Sequence, residues 1–569
     1  MEVEEVLDLS SSPLARGASV VTGDRPVEGP VDLAAALDGA AARLDPSLGE
    51  GYVLSLDRSG GASAAAGSLA ALNRLRSVVG SASAGAVTGT QTLTDAPAFG
   101  LRSVNECFYG ERWTPEDRIF VMRAAAGYGA NAYVYGPSAD RRTGGLWREP
   151  YSGTERRVME EFARECVASG VEPIWRISPA APLEPEKAIT ISDAEEMELL
   201  IAKIRHMIDL GFSRILIAFD DLTAGLDAVT AATFAGSPHP LAAAHASVLR
   251  AVGEAVGHER LIACPLHYWG IEPSPYREEF GRGFPAEVPV CWTGPSVISD
   301  SICAPDARRV ADEVGHPVLV WDNYPVNDWD MDGISALPLH ARPGLDNLVV
   351  PRRLPLAPST GRDPGLSDVV IGIGTNMALD PYAGLPAALT VFDFAWEGES
   401  YRPEDSWRAA VVSLGIDVDA LATLADSAGP GSGVVRGVPS RLARACAAVF
   451  LSDDPLADGI LDALDVVVAE HVDALAVLRA QPGRLTRDLQ PWILELGRQC
   501  QLALLAAAAL RAPIAERSAL VVELSGALGR RSAVVVASGM GRALADYARG
   551  LLAGGTPQID VPDSTSFGY

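Results

Sequence analysis

The chain has 569 residues, of which 48 % are hydrophobic and 21 % charged, and its formal charge is −27. That length exceeds one ordinary domain, and the composition supplies ample material for apolar cores. The charge disfavours nucleic acid as a partner, because binding it relies on Lys and Arg neutralising phosphates, and it repels free polyanions at long range, so a neutral substrate is expected.

No uninterrupted apolar run approaches the ~18 residues of a membrane helix, so no membrane partner is expected. The first residues, MEVEEVLDLSSS, are acidic and lack the basic and apolar regions of a secretory signal. Cys107, Cys166, Cys264, Cys291, Cys303, Cys446 and Cys500 show no paired spacing. This pattern predicts a reducing, cytoplasmic setting and no zinc site.

Residues 1–98 hold one apolar strand candidate, Tyr52–Leu56, and an Ala-rich helix candidate near 62–77, which together predict a small α/β domain. From 99 to 402 eight short β-like runs follow, at 102–109, 131–136, 173–178, 214–219, 260–266, 288–292, 317–322 and 369–374. Helix-compatible stretches lie between most of them, for example 115–128, 154–169, 192–210 and 243–256. Strand and helix alternating eight times predict a (β/α)₈ TIM barrel, with a doubly wound open sheet as the alternative. The connection 329–368 is long and rich in Pro and Arg. From 403 to 569 apolar residues recur at three and four spacing, which predicts an all-α helical bundle.

A barrel collects reactive residues where its strands end. Those ends carry Glu106 and Tyr109, Ser138 and Asp140, Ser178, Asp220 and Asp221, His267 and Tyr268, Trp292 and Thr293, Asp322, Asn323 and Asp328, and Asn376. Each alone reads as a cap or turn residue; the asymmetry repeated at eight strands points to a site. HExxH, CxxC, GxSxG and the Walker lysine motif are absent, and GIGTNM at 372–377 lacks the third glycine of a dinucleotide loop. No cofactor and no metal are therefore expected. Carboxylates, amides and aromatics suit a sugar, whose hydroxyls they bind and whose apolar ring face they stack against.

The apolar run ILIAF ends on two neighbouring carboxylates, Asp220 and Asp221. Adjacent carboxylates poorly match the usual pair facing across a sugar ring. They suit a substrate whose 2-acetamido oxygen attacks its own anomeric carbon: one Asp orients the amide, and its neighbour protonates the leaving oxygen. Repulsion and partial burial raise one pKa of such a pair.

The blocks ECFYGERWTPEDR (106–118), NAYVYGPSAD with LWREPY (131–140, 146–151), ISP (177–179), FDD (219–221), CPLHY (264–268), WTGP (292–295), WDNYPVND (321–328) and GTNM (374–377) occur in one order. Over about 100 to 410 the chain thereby resembles glycoside hydrolase family 84, the O-GlcNAc hydrolases and bacterial β-N-acetylglucosaminidases, some called hyaluronidases. The resemblance implies a (β/α)₈ barrel behind a small α/β domain and ahead of a helical domain. It also implies a retaining β-N-acetylhexosaminidase acting on an N-acetylated amino sugar. In that reading Asp220 orients the acetamido nitrogen and Asp221 is the general acid and then the base. Tyr268 hydrogen-bonds near the acetamido group or the glycosidic oxygen, Asn323 helps hold the acetamido group or the ring, Asp328 binds the O4 and O6 hydroxyls, Asn376 binds another hydroxyl, and Trp292 or Trp321 walls the pocket. The chain departs from the family pattern at Cys107, where the family has glycine, and at Ser138, where A-P-K becomes G-P-S; both positions touch sugar hydroxyls in the family. The usual N-P-M is N-M-A here. A non-standard substrate is expected, with two alternatives: a biosynthetic enzyme using the Asp pair on a non-sugar N-acyl metabolite, or a non-catalytic glycan- or metabolite-binding protein.

Overall fold

The computed structural model describes residues 14–16, 18–22, 42–56, 62–81, 91–222, 225–328, 354–428, 440–452, 456, 459–513, 515–528 and 540–552. They divide into two compact units. One runs to Tyr324 and includes Pro358–Pro381 and Ala388–Ala409; the other comprises the remainder.

The first unit begins with five strands: β1 (Ser19–Thr22), β2 (Ala42–Leu44), β3 (Tyr52–Leu56), β4 (Ala62–Ala66) and β5 (Gln91–Asp95). Their order is β1-β5-β3-β4-β2, antiparallel except for the last pair. The helix expected near 62–77 is thus two elements, strand β4 and helix α1 (Leu69–Ser81). The alanines of 62–66 favour a helix in isolation, but pairing on both edges, with β3 and with β2, holds them extended.

The barrel strands follow as β6 (Leu101–Glu106), β7 (Ala132–Tyr135), β8 (Glu172–Ile177), β9 (Arg214–Ala218), β10 (Leu261–Cys264), β11 (Val290–Trp292), β12 (Val318–Asp322) and β13 (Gly372–Asn376). All neighbours are parallel and the ring closes through β13 and β6, so the open-sheet alternative is excluded. Helices α2 (Pro115–Gly127), α3 (Gly153–Ala168), α4 (Ala194–Asp209), α5 (Ala228–Thr233), α6 (Pro240–Val256), α7 (Pro275–Gly281) and α8 (Ala304–Val314) lie between successive strands. The connection after β12 falls largely outside the described residues.

Alternate residues fill the interior: Leu101, Ala132, Val134, Ile174, Leu216, Ala218, Ile262, Cys264, Cys291 and Leu319 form one apolar cluster with Tyr268. This period of two assigns every strand residue to the interior or to the helix-facing side. Gly374 faces inward, and a Cβ there would come within 2.3 Å of Ser103 Oγ and 2.6 Å of Asn105 Nδ2. The glycine therefore makes room for a polar pair inside the barrel.

After the barrel come α9 (Leu385–Glu397), α10 (Pro403–Ser413), α11 (Val418–Ala428), α12 (Arg441–Leu451), α13 (Ile460–Ala480), α14 (Arg484–Arg511), α15 (Arg517–Leu528) and α16 (Met540–Leu552). Between α10 and α11 the chain turns at Gly415, whose φ is 73°. By length and composition α14 could cross a membrane, against the expectation from unbroken apolar runs. Its most apolar window is 61 % buried, and it packs against α13 and α16 as the core helix of the bundle.

Candidate active site

Strand parity explains how the two aspartates part company. Leu216 and Ala218 point inward, so two residues on Asp220 continues the inward face. Asp221 would then point outward, but its φ of 57° turns the backbone into the left-handed region. That conformation is uncommon for any residue with a side chain, though Asp adopts it more readily than most. The turn places Asp221 between two phenols: Tyr109 from the loop after β6 donates to Oδ2 at 2.7 Å, and Tyr268 from the loop after β10 donates to Oδ1 at 2.7 Å.

Asp220 has a different partner. Arg176 on β8 shares the inward parity of Ile174, and its Nη2 donates to both Asp220 oxygens, at 2.7 and 2.8 Å. Protein atoms crowded around Asp221, and then the Asp220 charge, push its carboxyl above the usual carboxylate range; the two tyrosine bonds and Arg176 partly offset this. Solvent still reaches its outer edge. Burial and the Asp221 charge push the phenols of Tyr109 and Tyr268 up, so both remain donors at neutral pH. Neighbouring carboxyls thus occupy unlike environments, one salt-bridged and one held by neutral hydroxyls.

A second polar group lies across β12, β13 and β6. Asn323 Oδ1 accepts from Trp321 Nε1 at 3.1 Å and from Asn376 Nδ2 at 2.9 Å, while Asn323 Nδ2 donates to the Val297 carbonyl at 2.7 Å. Asn376 and Asn105 are register partners, and Asn376 Oδ1 and Asn105 Nδ2 are buried with no hydrogen-bond partner among the described residues. Such groups in a concave site are the ones a ligand satisfies. Trp321 packs against the interior cluster. Trp292 does not: Cys291 takes the inward position on β11, so Trp292 points outward, is fully buried and donates to the Gly270 carbonyl at 3.0 Å. Of the two tryptophans expected as a wall, only Trp321 faces the interior.

Cys107 packs half-buried against the interior cluster with Sγ 3.9 Å from the Val134 carbonyl. Burial pushes its thiol up, which removes thiolate nucleophilicity at neutral pH. Ser138 donates its hydroxyl to the Phe108 carbonyl at 3.2 Å and its backbone N–H to the same oxygen at 3.1 Å, tying the loops after β7 and β6 together. Asp328 belongs to the second compact unit, where it is buried.

Several strand-end residues are structural. Glu106 takes the helix-facing side and binds Arg118 at 2.5 and 2.8 Å and Tyr133 at 2.7 Å. Asp140 accepts from Tyr135 and Tyr151, each at 2.7 Å, and Asp322 pairs with Arg362. Among the described residues no group of three His, Cys, Asp or Glu could hold a metal ion. Arg176 escaped the sequence reading. Its signal was present: a charged residue inside the apolar strand PIWRI, at the parity of the core-facing Ile174.

A closed eight-strand barrel with an adjacent carboxylate pair, amides and an indole at its strand ends defines the class of barrel enzymes that act on polar small molecules. Residues 102–426 match the protein-family model described as beta-N-acetylglucosaminidase, and the chain belongs to this family of glycoside hydrolases. The protein O-GlcNAcase of Rattus norvegicus is 28 % identical over 265 residues, which are 46 % of this chain and 28 % of the rat protein. That of Mus musculus is 27 % identical over 248 residues, 42 % of this chain and 26 % of the mouse protein. The matched region is less than a third of each of those relatives. A variant of the Thermobaculum terrenum O-GlcNAc hydrolase shares the fold with a TM-score of 0.68 at 24 % identity, over 80 % of this chain and 95 % of that one. The structure titled CpGH84B does so at 0.69 and 19 %, over 95 % and 100 %.

Proposed function

We propose that this protein is a retaining glycosidase that cleaves β-linked N-acetylated amino sugars, with the substrate's acetamido oxygen as nucleophile. Asp220 accepts the amide N–H and aims the carbonyl oxygen at C1. The C1–oxygen bond to the leaving group breaks as the carbonyl oxygen bonds C1, and Asp221 gives its proton to the departing oxygen. The Asp221 carboxylate then takes a proton from water as that water attacks C1 and reopens the ring intermediate. Inversion occurs twice, so configuration is retained. Asn323 and Asn376 bind sugar hydroxyls and Trp321 walls the ring.

The carrying observation is the unlike pair. A carboxyl raised by crowding and by its neighbour's charge suits the acid step. The phenolic donors of Tyr109 and Tyr268 favour the carboxylate that the second step needs. Asp221→Asn tests the reading. On a methyl glycoside, whose leaving oxygen needs a proton, kcat/KM should fall by about 10²–10⁴. On a dinitrophenyl glycoside, whose leaving group departs unprotonated, the loss should be far smaller. Near-full activity on both substrates would remove Asp221 from the acid role.

One observation favours a second reading, a non-catalytic binder of N-acylated ligands: both Asp220 oxygens already accept from Arg176. Tight binding of a thiazoline inhibitor with no turnover of any N-acetylhexosaminide would select it. A carboxylate offers about four acceptor sites, so Arg176 leaves Asp220 capacity for an amide N–H, which keeps the hydrolase reading first.

A further inference from the structure

Arg176 is a charged side chain inside the barrel to which the mechanism above gives no work of its own. It stands on the inward face of β8, one inward position beyond Ile174, and its side chain is 12 % exposed. Only Nη2 is engaged, with Asp220; Nε and Nη1 make no hydrogen bond within the described residues. The stem is tightly seated. A Cβ on Gly136 would come within 2.6 Å of Arg176 Cβ and 3.1 Å of its Cγ and Cδ, so the absence of a side chain on β7's continuation is what admits the arginine. Cys107, Tyr109 and Cys264 lie near enough to interact with it electrostatically, and Cys264 belongs to the apolar floor of the barrel.

These facts constrain a ligand. A sugar whose amide N–H bonds Asp220 keeps C1 and the leaving group beside Asp221. The acyl arm is the part carried towards the floor, and the guanidinium that clamps Asp220 lies there. An acetyl methyl group would cover the Nε and Nη1 donors with carbon and leave them unpaired, which disfavours binding. An oxygen on the acyl arm would instead accept from them.

We propose that Arg176 determines acyl specificity, and that the preferred substrate, on the hydrolase reading above, is an amino sugar whose N-acyl arm ends in an oxygen acceptor, with glycolyl the smallest such arm. Glycolyl and propionyl have the same number of heavy atoms and nearly the same shape; they differ by hydroxyl against methyl. The pair separates an acceptor requirement from a size requirement. A site built to bond a substrate oxygen discriminates strongly against the analogue that lacks it, whereas an apolar pocket does not.

The test compares aryl 2-glycolylamino- and 2-propionylamino-β-glucosides with the full chain. Wild type should favour glycolyl by at least about tenfold in kcat/KM, mostly through KM. In R176M the ratio should fall to within about twofold of unity. R176L, which also lacks a donor, supplies a second replacement should R176M fail to fold. Equal or reversed preference in wild type overturns the proposal without any variant, and so does a preference that survives R176M or R176L. If neither glycoside is cleaved, calorimetric titration of the two free sugars makes the same comparison. A glycolyl preference in Kd that the variants abolish would support the acyl-specificity role while the hydrolase reading fails; no such preference would overturn it.

Discussion

Asp221 holds a left-handed backbone, at φ 57°, that costs of order 1–3 kcal/mol for a residue bearing a side chain. Its carboxyl is also raised above the carboxylate range by crowding and by Asp220. Both features work against stability, and the second has a definite pH sign. A carboxyl whose folded pKa exceeds its unfolded value of about 3.9 binds more protons in the folded state between those two values. Its contribution is fully present below the unfolded pKa and is lost as pH rises through the folded one. Asn tolerates the same backbone and carries no charge. Asp221→Asn should therefore raise the melting temperature at pH 7 and leave it unchanged near pH 3, as scanning calorimetry at the two pH values can show. Activity should carry the mirror image: the basic limb of kcat/KM reports Asp221 losing its proton. Tyr268→Phe removes a donor to the carboxylate form, so that limb should move to higher pH; a limb that moves to lower pH would reverse the assigned role of the phenol.

The aspartate pair was legible because polar residues end all eight barrel strands; alone, it reads as a cap and a solvated neighbour. Its asymmetry was not, since the left-handed turn at Asp221 leaves no mark in residue type. Arg176 went unnoticed for a different reason: a single Arg in a short strand is ordinary until strand parity places it inside a closed barrel.

Among the elements, the barrel strands were readable in number and order because parallel strands covered by helices are apolar throughout. Strand parity settles what sequence could not, turning Trp292 outward and Trp321 inward. The N-terminal sheet was poorly legible: the alanines of β4 carry helix propensity, and only pairing with β3 and β2 holds them extended. Where β7 ends, Gly136 lets Arg176 lie against it. The nearest atom a new Cβ would meet is Arg176 Cβ at 2.6 Å, which is fixed to its backbone and cannot swing away. Gly136→Ala should therefore spread the strand ends, cost about 1–3 kcal/mol in urea unfolding, and pull the guanidinium off Asp220. The double variant with R176G, which removes that Cβ, should recover much of the stability lost in Gly136→Ala if the clash acts through Arg176. If the double variant is worse than either single one, the two strand ends do not communicate in this way.

At the scale of the whole molecule, the net charge of −27 reaches every ligand approaching from solution. For a neutral aryl glycoside KM should change little between about 20 and 500 mM salt, whereas inhibition by an anionic oligosaccharide should strengthen as salt screens the repulsion. Inside the first unit the same excess of carboxylates has to be compensated locally. Arg74 on α1 is fully buried and donates through Nη2 to Asp393 at 2.6 Å and Glu397 at 2.8 Å, both on α9. Its guanidinium also lies 5.5 Å from the Trp396 ring and 6.0 Å from that of Tyr128. The pair fastens the helix of the N-terminal sheet to the helix that follows the last barrel strand. Removing one partner of a buried ion pair costs about 3–5 kcal/mol, less where another cation stays close, as Arg16 does at 3.5 Å from Asp393. Arg74→Met should therefore lower stability by that order at pH 7. The loss should shrink as pH falls, because protonating a carboxyl removes the charge that Arg74 compensates. Melting curves at pH 7 and at about pH 5 decide the matter. A deficit that is equal at both pH values would mean that Arg74 acts through its packing on Trp396 and Tyr128 rather than through its charge.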